Sequence, residues 1–433
     1  MIVPVPAEGE GARQPLVVIV DDEDQRSFAE LVIDQGVEAV TVSPDDLDYQ
    51  LLTRATAVVL DQYLHNWPGR DRLDLPPTLH VPDGLGLAAV LRSHVEGSGI
   101  RIRPPQLPVA FVLRTGELDR LGAGLPKAAR EHLLARQYNL EWVFSKGEGI
   151  LPNLPSPSGR IASLARAASS LPKLWGADSR DPGLRWLDLP GAAWAEDARW
   201  QVEQCRPPQH VVAERTAGLA WLRWFLHRIL PFPTFLLDRT YLAVSLGIDI
   251  ASLNGALSSD SRLAARLSEL RYRGPLNDFL GDRWWRAGVS HLVAELLDLA
   301  QQDGLKRIQT VAVGAANLHG GPLNAVTVED PVIAVNADYM ALSDPISAAS
   351  AVRLQPDDWP PYADDAWAAR DTLSGEDADP ELLALVVSTD RWRVQSDYDD
   401  AQDDPSKAIT PEAGAGQRDP GTLSDVDDGK RLL

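Results

Sequence analysis

The chain has 433 residues, of which 44% are hydrophobic and 24% charged, and its formal net charge is -21. This composition is that of a folded globular protein, and the length is enough for two or three domains. The single cysteine excludes an internal disulfide framework, no apolar run could span a bilayer, and the first residues lack a signal-peptide pattern. We therefore expect a cytoplasmic protein.

Short β-branched runs alternate with helical patterns from residue 15 to residue 172, after a flexible N-terminus predicted at 1–14. The run PLVVIV is typical of a strand buried on both faces of a parallel sheet, and the segment after it has apolar residues at helical spacing up to Gly36. Four more runs predict strands in the same way: VEAVTV, TAVVLD, PVAFVLRTG and LEWVFSKG. Because each parallel crossover needs a helix, the pattern predicts an α/β fold with a doubly wound, five-stranded parallel sheet.

Chemically active side chains stand where four of the five predicted strands end. In chain order they are Asp21 and Asp22, Asp61, Thr115, and Lys146. Ligands bind outside the carboxyl ends of the strands in such sheets, so these groups are expected to converge. Clustered carboxylates favour a hard cation such as Mg²⁺ between them. A carboxylate beside that cation can attack a phosphoryl donor, and an ammonium and a hydroxyl can bind the transferred oxygens. The pattern predicts a magnesium-dependent phosphoryl-acceptor site.

These motifs resemble the receiver domain of two-component response regulators. The matching text, in order, is VVIVDDE, VVLDQ, PDGLGLAAVLR, FVLRTG and VFSK, within residues 15–172. The resemblance implies a flavodoxin-like fold with strand order 2-1-3-4-5, and a histidine kinase as phosphoryl donor. It implies that Asp61 is the phospho-acceptor and that Thr115 and Lys146 contact the phosphate. The implied Mg²⁺ ligands are Asp21, Asp22, Asp61 and the backbone carbonyl of Tyr63.

Three features depart from the receiver pattern. A long insertion at 62–81 carries HNWPGRDR beside the predicted pocket, and it could gate access, bind a partner or be a tolerated surface loop. Gly147 follows the lysine where receivers usually have proline. Val143 stands where many receivers carry a switching aromatic residue, so phosphorylation is expected to act differently on the output face.

The segment 178–345 predicts a mainly helical, Trp- and Arg-rich α+β domain. Helical spacing is clear in LAWLRWFLHRIL and DRWWRAGVSHLVAELLDLAQQDG, and short strands are predicted near TVAV, NAVTV and VIAV. The glycine-rich GAANLHGG is expected to be a turn. No histidine pair has a metal-binding spacing, and Cys205, with His210 five residues later, is expected to be a core residue. The sequence therefore shows no catalytic motif here.

One stretch near 240–274 resembles a helix-turn-helix followed by a wing, a common DNA-binding output of response regulators. Its surroundings are roughly charge-balanced, and a DNA-binding surface needs a basic stripe. A DNA-binding response regulator therefore stays an alternative, and a receiver-regulated enzyme with an unrecognised catalytic domain is another.

The segment 355–433 is rich in Asp, Pro, Gly and Ser. Since it offers few apolar residues to offset the entropy lost on ordering, we predict an acidic, largely disordered tail.

The leading hypothesis is a non-enzymatic receiver protein of a two-component phosphorelay, acting as a scaffold or phosphate sink. A weaker resemblance, in architecture alone, is to the phosphate-buffer receiver protein of the Detocs anti-phage defence system, which implies a role in antiviral defence. The expected partners are a cognate histidine kinase and other proteins that contact the helical domain. A homodimer is compatible with the sequence, and neither a membrane nor a nucleic acid is the expected partner.

Overall fold

The computed structural model describes residues 14–70, 81–96, 108–147, 154–172, 175, 181–213, 218–300, 304–342, 344–374 and 378–394. The predicted flexible N-terminus, apart from its last residue, lies outside these ranges. The middle of the insertion, 71–80, and the end of the predicted tail, 395–433, also lie outside them.

Five parallel strands form the sheet that the sequence predicts. They are β1 (Leu16–Val20), β2 (Glu38–Val42), β3 (Ala57–Asp61), β4 (Ala110–Thr115) and β5 (Trp142–Ser145), and their order is β2-β1-β3-β4-β5. All of β1 and β3 is buried, as expected for strands covered on both faces, whereas β2 at the edge is partly exposed. The predicted α/β class and the strand order are both confirmed.

Helices cover both faces of this sheet in the part of the chain from 14 to 172, here called the sheet region. They are α1 (Arg26–Ile33), α2 (Tyr49–Arg54), α3 (Gly84–Glu96), α4 (Leu118–Leu121), α5 (Arg130–Gln137) and α6 (Pro157–Ser169). A short 3-10 turn at Pro44–Asp46 precedes α2, which begins where the Asp48 side chain caps the Leu51 N–H.

Nine helices follow in the described part of residues 181–319, here called the helical region. They are α7 (Pro182–Trp186), α8 (Ala195–Cys205), α9 (Gln209–Ala213), α10 (Leu219–Trp224), α11 (Arg239–Ser245), α12 (Ile250–Leu257), α13 (Arg262–Leu270), α14 (Arg286–Ala300) and α15 (Arg307–His319). A π-helical turn at Phe225–Ile229 continues α10, and the short strands β6 (Leu236–Leu237) and β7 (Trp284–Trp285) pair antiparallel. Among the helices described, none is both long and apolar enough to cross a bilayer.

The sheet region and the helical region share one hydrophobic core. Trp142 and Phe144 of β5 lie in the same buried cluster as Phe225 and Trp285 of the helical region. The opposite face of the sheet has its own core with residues of α2, α3 and α5. Helix α6 lies between the sheet and the helical region and is almost entirely buried. The two regions are therefore packed against each other as one folded unit, rather than as separate domains joined by a linker.

The strand predicted at TVAV is wrong, since these residues lie inside α15. Val311, Ala312, Ala315 and Leu318 are all buried, and their spacing is helical. β-Branched residues suggested a strand, but packing against α14 outweighs this weak local preference. GAANLHGG is accordingly the end of α15, where Gly320 has a φ of 81° and stops the helix. Of the other two predicted strands, VIAV contributes to β8 (Pro331–Val332) and NAVTV forms only an isolated bridge at Ala325.

The first part of the predicted disordered tail is folded. Just before the predicted tail, β9 (Ile346–Ser347) pairs with β8. The strand β10 (Ala351–Leu354) ends where the predicted tail begins and pairs antiparallel with β11 (Ala366–Ala369) inside it, and α16 (Pro380–Leu385) follows. The apolar residues that form a small core here are widely spaced among acids: Val352, Leu354, Ala366, Ala368, Leu373, Leu382, Val386 and Val394. Their alternation within β10 and β11 lets a sparse set of side chains share one face, which composition alone does not reveal.

Candidate functional site

Three carboxylates meet at the carboxyl edge of the sheet. Asp21 and Asp22 follow β1, and Asp61 ends β3, the strand that pairs with β1. One carboxylate oxygen from each lies within 4.8 Å of the other two. Asp21 and Asp61 are buried, and Asp22 is half-buried. The predicted convergence of these three residues is confirmed.

Lys146 and Thr115 come to the same edge because β5 pairs with β4 and β4 pairs with β3. The Lys146 Nζ lies 2.9 Å from Asp61 Oδ1 and 3.2 Å from Asp21 Oδ2. Thr115 is fully buried, and its hydroxyl accepts a hydrogen bond from the Glu117 N–H at 3.1 Å. The structure thus brings all five predicted side chains to one end of the sheet.

In this pocket, burial and neighbouring charges shift the pKa values of Asp21 and Lys146 in opposite directions. Burial raises the pKa of Asp21, and the hydrogen bond from the Glu23 N–H and the charge of Lys146 oppose it only in part. Burial also disfavours the charged form of Lys146, but its contacts with Asp61 and Asp21 outweigh burial and raise its pKa. The lysine is therefore held as an ammonium between two carboxylates.

The donor set suits a hard divalent cation. Asp22 Oδ1 is buried and has no hydrogen-bond partner among the described residues, and its other oxygen accepts from the Asn66 N–H. An orphaned oxygen in a cluster of three carboxylates suits Mg²⁺, because Mg²⁺ takes oxygen ligands and keeps several waters. Asp21, Asp22 and Asp61 are the residues that could hold it.

Tyr63, the predicted source of a carbonyl ligand, has its side chain bound to residues that follow β4. Its hydroxyl donates to Glu117 Oε2 at 3.0 Å and accepts from Arg120 at 2.7 Å, and the Arg120 guanidinium lies 5.3 Å from the ring centroid. The start of the insertion is thereby fastened to the loop that follows Thr115.

The described part of the insertion is folded against the pocket rim. The Trp67 indole N–H donates to Asp45 Oδ1 at 2.7 Å, and the Gly69 N–H donates to Asp45 Oδ2 at 3.0 Å. Together with the bond from Asn66 to Asp22, these contacts fix residues 66–69 beside a candidate metal ligand. Nothing in the sequence pointed to Asp45 as the anchor, because it lies 22 residues from Trp67.

Arg114 is a second cation at the site, which the sequence reading missed. It stands on β4 opposite Asp61, and its guanidinium lies 3.8 Å from the centroid of the Phe28 ring. It donates to Gln25 Oε1 at 3.1 Å, and its Nε is buried without a hydrogen-bond partner in the described part of the chain. Burial lowers the pKa of Arg114, and Asp21 and Asp61 oppose this shift. The sequence signal is the arginine of FVLRTG, which directly precedes Thr115.

The strand that precedes Lys146, β5, packs directly on the helical region. Val143, at the position of the switching aromatic, is fully buried in the separate core on the other face of the sheet. Its neighbour Trp142 stacks on His227 with ring centroids 6.0 Å apart and meets Phe279 edge-on at 4.9 Å. Gly147 is exposed, and its N–H donates to Ser145 Oγ at 3.1 Å. Val143, where the receiver resemblance places a switching aromatic residue, is thus a packed aliphatic side chain.

A buried ion triad joins the sheet region to the helical region. Glu141 is fully buried and accepts hydrogen bonds from Arg92 at 2.6 Å, from Arg223 at 2.7 Å and from the Phe111 N–H. Arg92 lies on α3 and Arg223 on α10. Burial opposes the charge of Glu141, but the two guanidinium groups outweigh it and lower the pKa of the carboxyl.

The stretch that resembles a helix-turn-helix folds as α11, α12 and α13. Arg271 is ion-paired with Asp282, and Arg273 donates to the carbonyl of Ser268 at 3.0 Å. Arg266 on α13 contacts Glu269 and Glu295, each at 2.7 Å. Arg266, Arg271 and Arg273 are therefore engaged with groups of this chain.

Cys205 is a core residue, as expected. Its thiol is buried and donates to the carbonyls of Gln201 and Val202 on its own helix. Burial raises the pKa of the Cys205 thiol to about 12, so the group is protonated at neutral pH.

We predict that 5,5′-dithiobis(2-nitrobenzoate) reacts very slowly with the Cys205 thiol of the native protein at pH 8 and rapidly after unfolding in guanidinium chloride. Rapid reaction of the native protein would contradict the burial of this thiol.

The chain matches no protein-family model, no curated protein and no solved structure. The five-stranded parallel sheet and its acidic cluster are receiver-like in topology and in the placement of their side chains. Within the described residues, the Asp21, Asp22 and Asp61 cluster is also the one group of His, Cys, Asp or Glu side chains with the geometry of a metal site.

Proposed function

We propose that this chain is a receiver-type signalling protein that accepts a phosphoryl group on Asp61 with the help of Mg²⁺. The observation that carries the proposal is the convergence of three carboxylates, one ammonium and one buried hydroxyl at the carboxyl edge of one parallel sheet. The placement of the lysine against two of the three carboxylates supports this proposal over a chance set of polar strand ends.

Asp61 and Lys146 would have different roles in the formation of an acyl phosphate. Asp61 supplies the attacking oxygen, and the P–N bond of a donor phosphohistidine breaks as the new P–O bond forms. Lys146 lies within 2.9 Å of Asp61 and can bind a phosphoryl oxygen as that carboxylate loses its charge to the new bond. Magnesium, when bound, would neutralise the carboxylates and the phosphoryl oxygens.

Two features support a phosphate sink rather than a switch. The aromatic side chains of β5, Trp142 and Phe144, are both buried in the shared core, so neither of these two rings is free to rotate as a switch. The contacts of Tyr63 and of the Asn66–Gly69 segment hold the start of the insertion beside Asp22, where it would limit the access of water to an acyl phosphate. The helical region would then act as a non-enzymatic scaffold. The weaker resemblance to the Detocs buffer protein adds anti-phage defence to the proposal as its biological setting.

Acyl-phosphate formation on the purified chain tests the proposal. With a radiolabelled phospho-histidine kinase as donor, we expect Mg²⁺-dependent labelling that is lost in Asp61→Asn and kept in Asp34→Asn. Asp34 is an exposed acid at the end of α1, at the opposite edge of the sheet. Labelling that persists in Asp61→Asn, or that never occurs with any phosphohistidine donor, would overturn the assignment. The lifetime of the label then separates a sink from a switch, since a sink holds its phosphoryl group or returns it to the kinase.

Arg114 gives a prediction about metal affinity. Because its positive charge lies beside the carboxylates, Arg114→Met should tighten Mg²⁺ binding by about fivefold, the equivalent of about 1 kcal/mol between charges several Å apart. Isothermal titration calorimetry with MgCl₂ measures this change. The control is Arg54→Met, since Arg54 is exposed and precedes β3 at the opposite edge of the sheet. Unchanged or weaker binding in Arg114→Met would show that the guanidinium does not act on the metal site.

A further inference from the structure

Residues 66–69 of the insertion bind two acids that lie at the same edge of the sheet. One is Asp22, the candidate metal ligand after β1, and the other is Asp45, in the 3-10 turn that follows β2. The ends of these two strands are neighbours, and the Asp21 N–H donates to the carbonyl of Val42 at 3.2 Å. The sheet therefore fixes the positions from which the two acids reach the insertion.

Asp45 holds the segment through two donors. The indole N–H of Trp67 donates to Asp45 Oδ1 at 2.7 Å, and the Gly69 N–H donates to Asp45 Oδ2 at 3.0 Å. Both oxygens of the carboxylate are thus used, and an ionised carboxylate is an acceptor at both of its oxygens. The Trp67 ring also packs against the core on this face of the sheet. We call Asp45, Trp67 and Gly69 the insertion clasp.

The glycine of the clasp allows a close approach to the carboxylate. A Cβ on Gly69 would overlap Asp45 Oδ1, so any larger residue would push the carboxylate out of place. Asp45 is exposed, and the displaced atom is the end of its side chain. A substitution at Gly69 should therefore open the clasp with little effect on the stability of the fold.

The clasp matters for the metal site because the segment that it holds orients Asp22. The Asn66 N–H donates to Asp22 Oδ2, and within the described ranges it is the one hydrogen-bond donor to this carboxylate. Asp21 and Asp61, in contrast, are both held by Lys146. The orientation of Asp22 therefore depends on the insertion.

We propose that Asp45 is a positioning residue for the metal site, because the clasp holds Asn66 in place and Asn66 orients Asp22 toward the cation. The role rests on the function proposed above, in which the carboxylate cluster binds Mg²⁺. Groups that orient a metal ligand typically change metal affinity by about 10–100-fold when they are removed. By linkage, a cation that favours this orientation of Asp22 must in turn strengthen the clasp. The insertion thereby couples the state of the metal site to a surface segment of the protein.

Calorimetric titration of the full chain with MgCl₂ tests the positioning role. Asp45→Asn removes one of the two acceptors and should weaken Mg²⁺ binding by about tenfold, the lower end of the range for such groups. Gly69→Ala keeps the charge of Asp45 but displaces its carboxylate, and it should weaken binding to a similar extent.

Asp46→Asn is the matched control for the loss of charge. Asp46 is the exposed neighbour of Asp45 in the same 3-10 turn and accepts a hydrogen bond from the Ser43 hydroxyl at 2.6 Å. Its removal should change Mg²⁺ affinity by less than about twofold, because salt screens the charge of an exposed residue.

A fluorine signal from Trp67 follows the clasp itself, without phosphoryl transfer. In protein labelled with 5-fluorotryptophan, the Trp67 resonance is the one that is missing from Trp67→Phe. We expect Mg²⁺ to shift this resonance in the parent chain and in Asp46→Asn, over the concentrations that saturate the calorimetric titration. The shift should be smaller in Gly69→Ala, whose urea unfolding should match that of the parent.

The contrary outcomes separate the role of Asp45 from the metal site itself. If the parent chain binds Mg²⁺ and both Asp45→Asn and Gly69→Ala bind it equally well, the role of Asp45 is overturned and the proposed function stands. Equal weakening by Asp45→Asn and Asp46→Asn would also overturn it, since the lost charge alone would explain the effect. If the parent chain binds no Mg²⁺, the metal site fails, and the role of Asp45 fails with it.

Discussion

Replacing Glu141 by glutamine is expected to lower the free energy of unfolding by about 3–5 kcal/mol, the usual effect of removing one member of a buried ion pair. The carboxylate is fully buried and shared by Arg92 and Arg223, so its loss leaves two guanidinium groups without their common counter-ion. The Arg92 side chain is itself 5% exposed, and water cannot readily replace the lost partner there. Glutamine keeps the size and one acceptor oxygen, so the expected loss is electrostatic rather than steric.

Urea unfolding followed by circular dichroism measures this effect. Glu269→Gln is the matched control, because Glu269 makes an exposed ion pair with Arg266 and should change stability by less than about 1 kcal/mol. Since the triad spans both regions and the core is shared, we also expect the whole transition of Glu141→Gln to move to lower urea without splitting into two. A loss comparable to that of the control would mean that Glu141 is hydrated in solution, and a split transition would mean that the two regions fold independently.

The candidate site could be predicted from sequence because its signals are local. Asp21, Asp61 and Thr115 each end or follow a short apolar run, and a parallel sheet brings such ends together whatever the loops between them do. The strand order, in contrast, came from a resemblance, because short runs alone do not specify which strands are neighbours. The structure agrees with that order.

The features that sequence reasoning missed depend on contacts between distant residues. In the sequence, Asp45 resembles an ordinary acid of a first helical turn, and only the structure shows its contact with Trp67. Glu141 resembles an ordinary acid at a strand end, and only the structure shows its bond with Arg223, which lies 82 residues away on a helix. Residues 355–394 resemble a solvated tail in composition, and they fold because Val335 and Val352, outside the acid-rich segment, complete their small core. In each case a partner far along the chain determines the role of the residue.

A single methyl group at Gly84 is expected to damage both stability and the metal site. Gly84 begins α3, and its N–H donates to the Gln62 carbonyl at 3.0 Å. A Cβ at this position would lie 1.8 Å from the backbone oxygen of Asp61, so the end of β3 would have to move away from the pocket. Forced overpacking of this kind costs about 1–3 kcal/mol, and contact with main-chain atoms puts Gly84→Ala near the upper limit.

Gly116→Ala is the control for this substitution at the same pocket. Gly116 follows Thr115, and an added Cβ there would meet no atom within 4 Å. We expect Gly116→Ala to keep the stability and Mg²⁺ affinity of the parent chain, and Gly84→Ala to lose about 3 kcal/mol of unfolding free energy and at least about tenfold in Mg²⁺ affinity. Urea unfolding and calorimetric titration with MgCl₂ measure the two quantities separately. Parent-like values for Gly84→Ala would show that α3 does not hold Asp61 in place. A loss of stability without a loss of affinity would show that the carboxylate keeps its position although the backbone beneath it has moved.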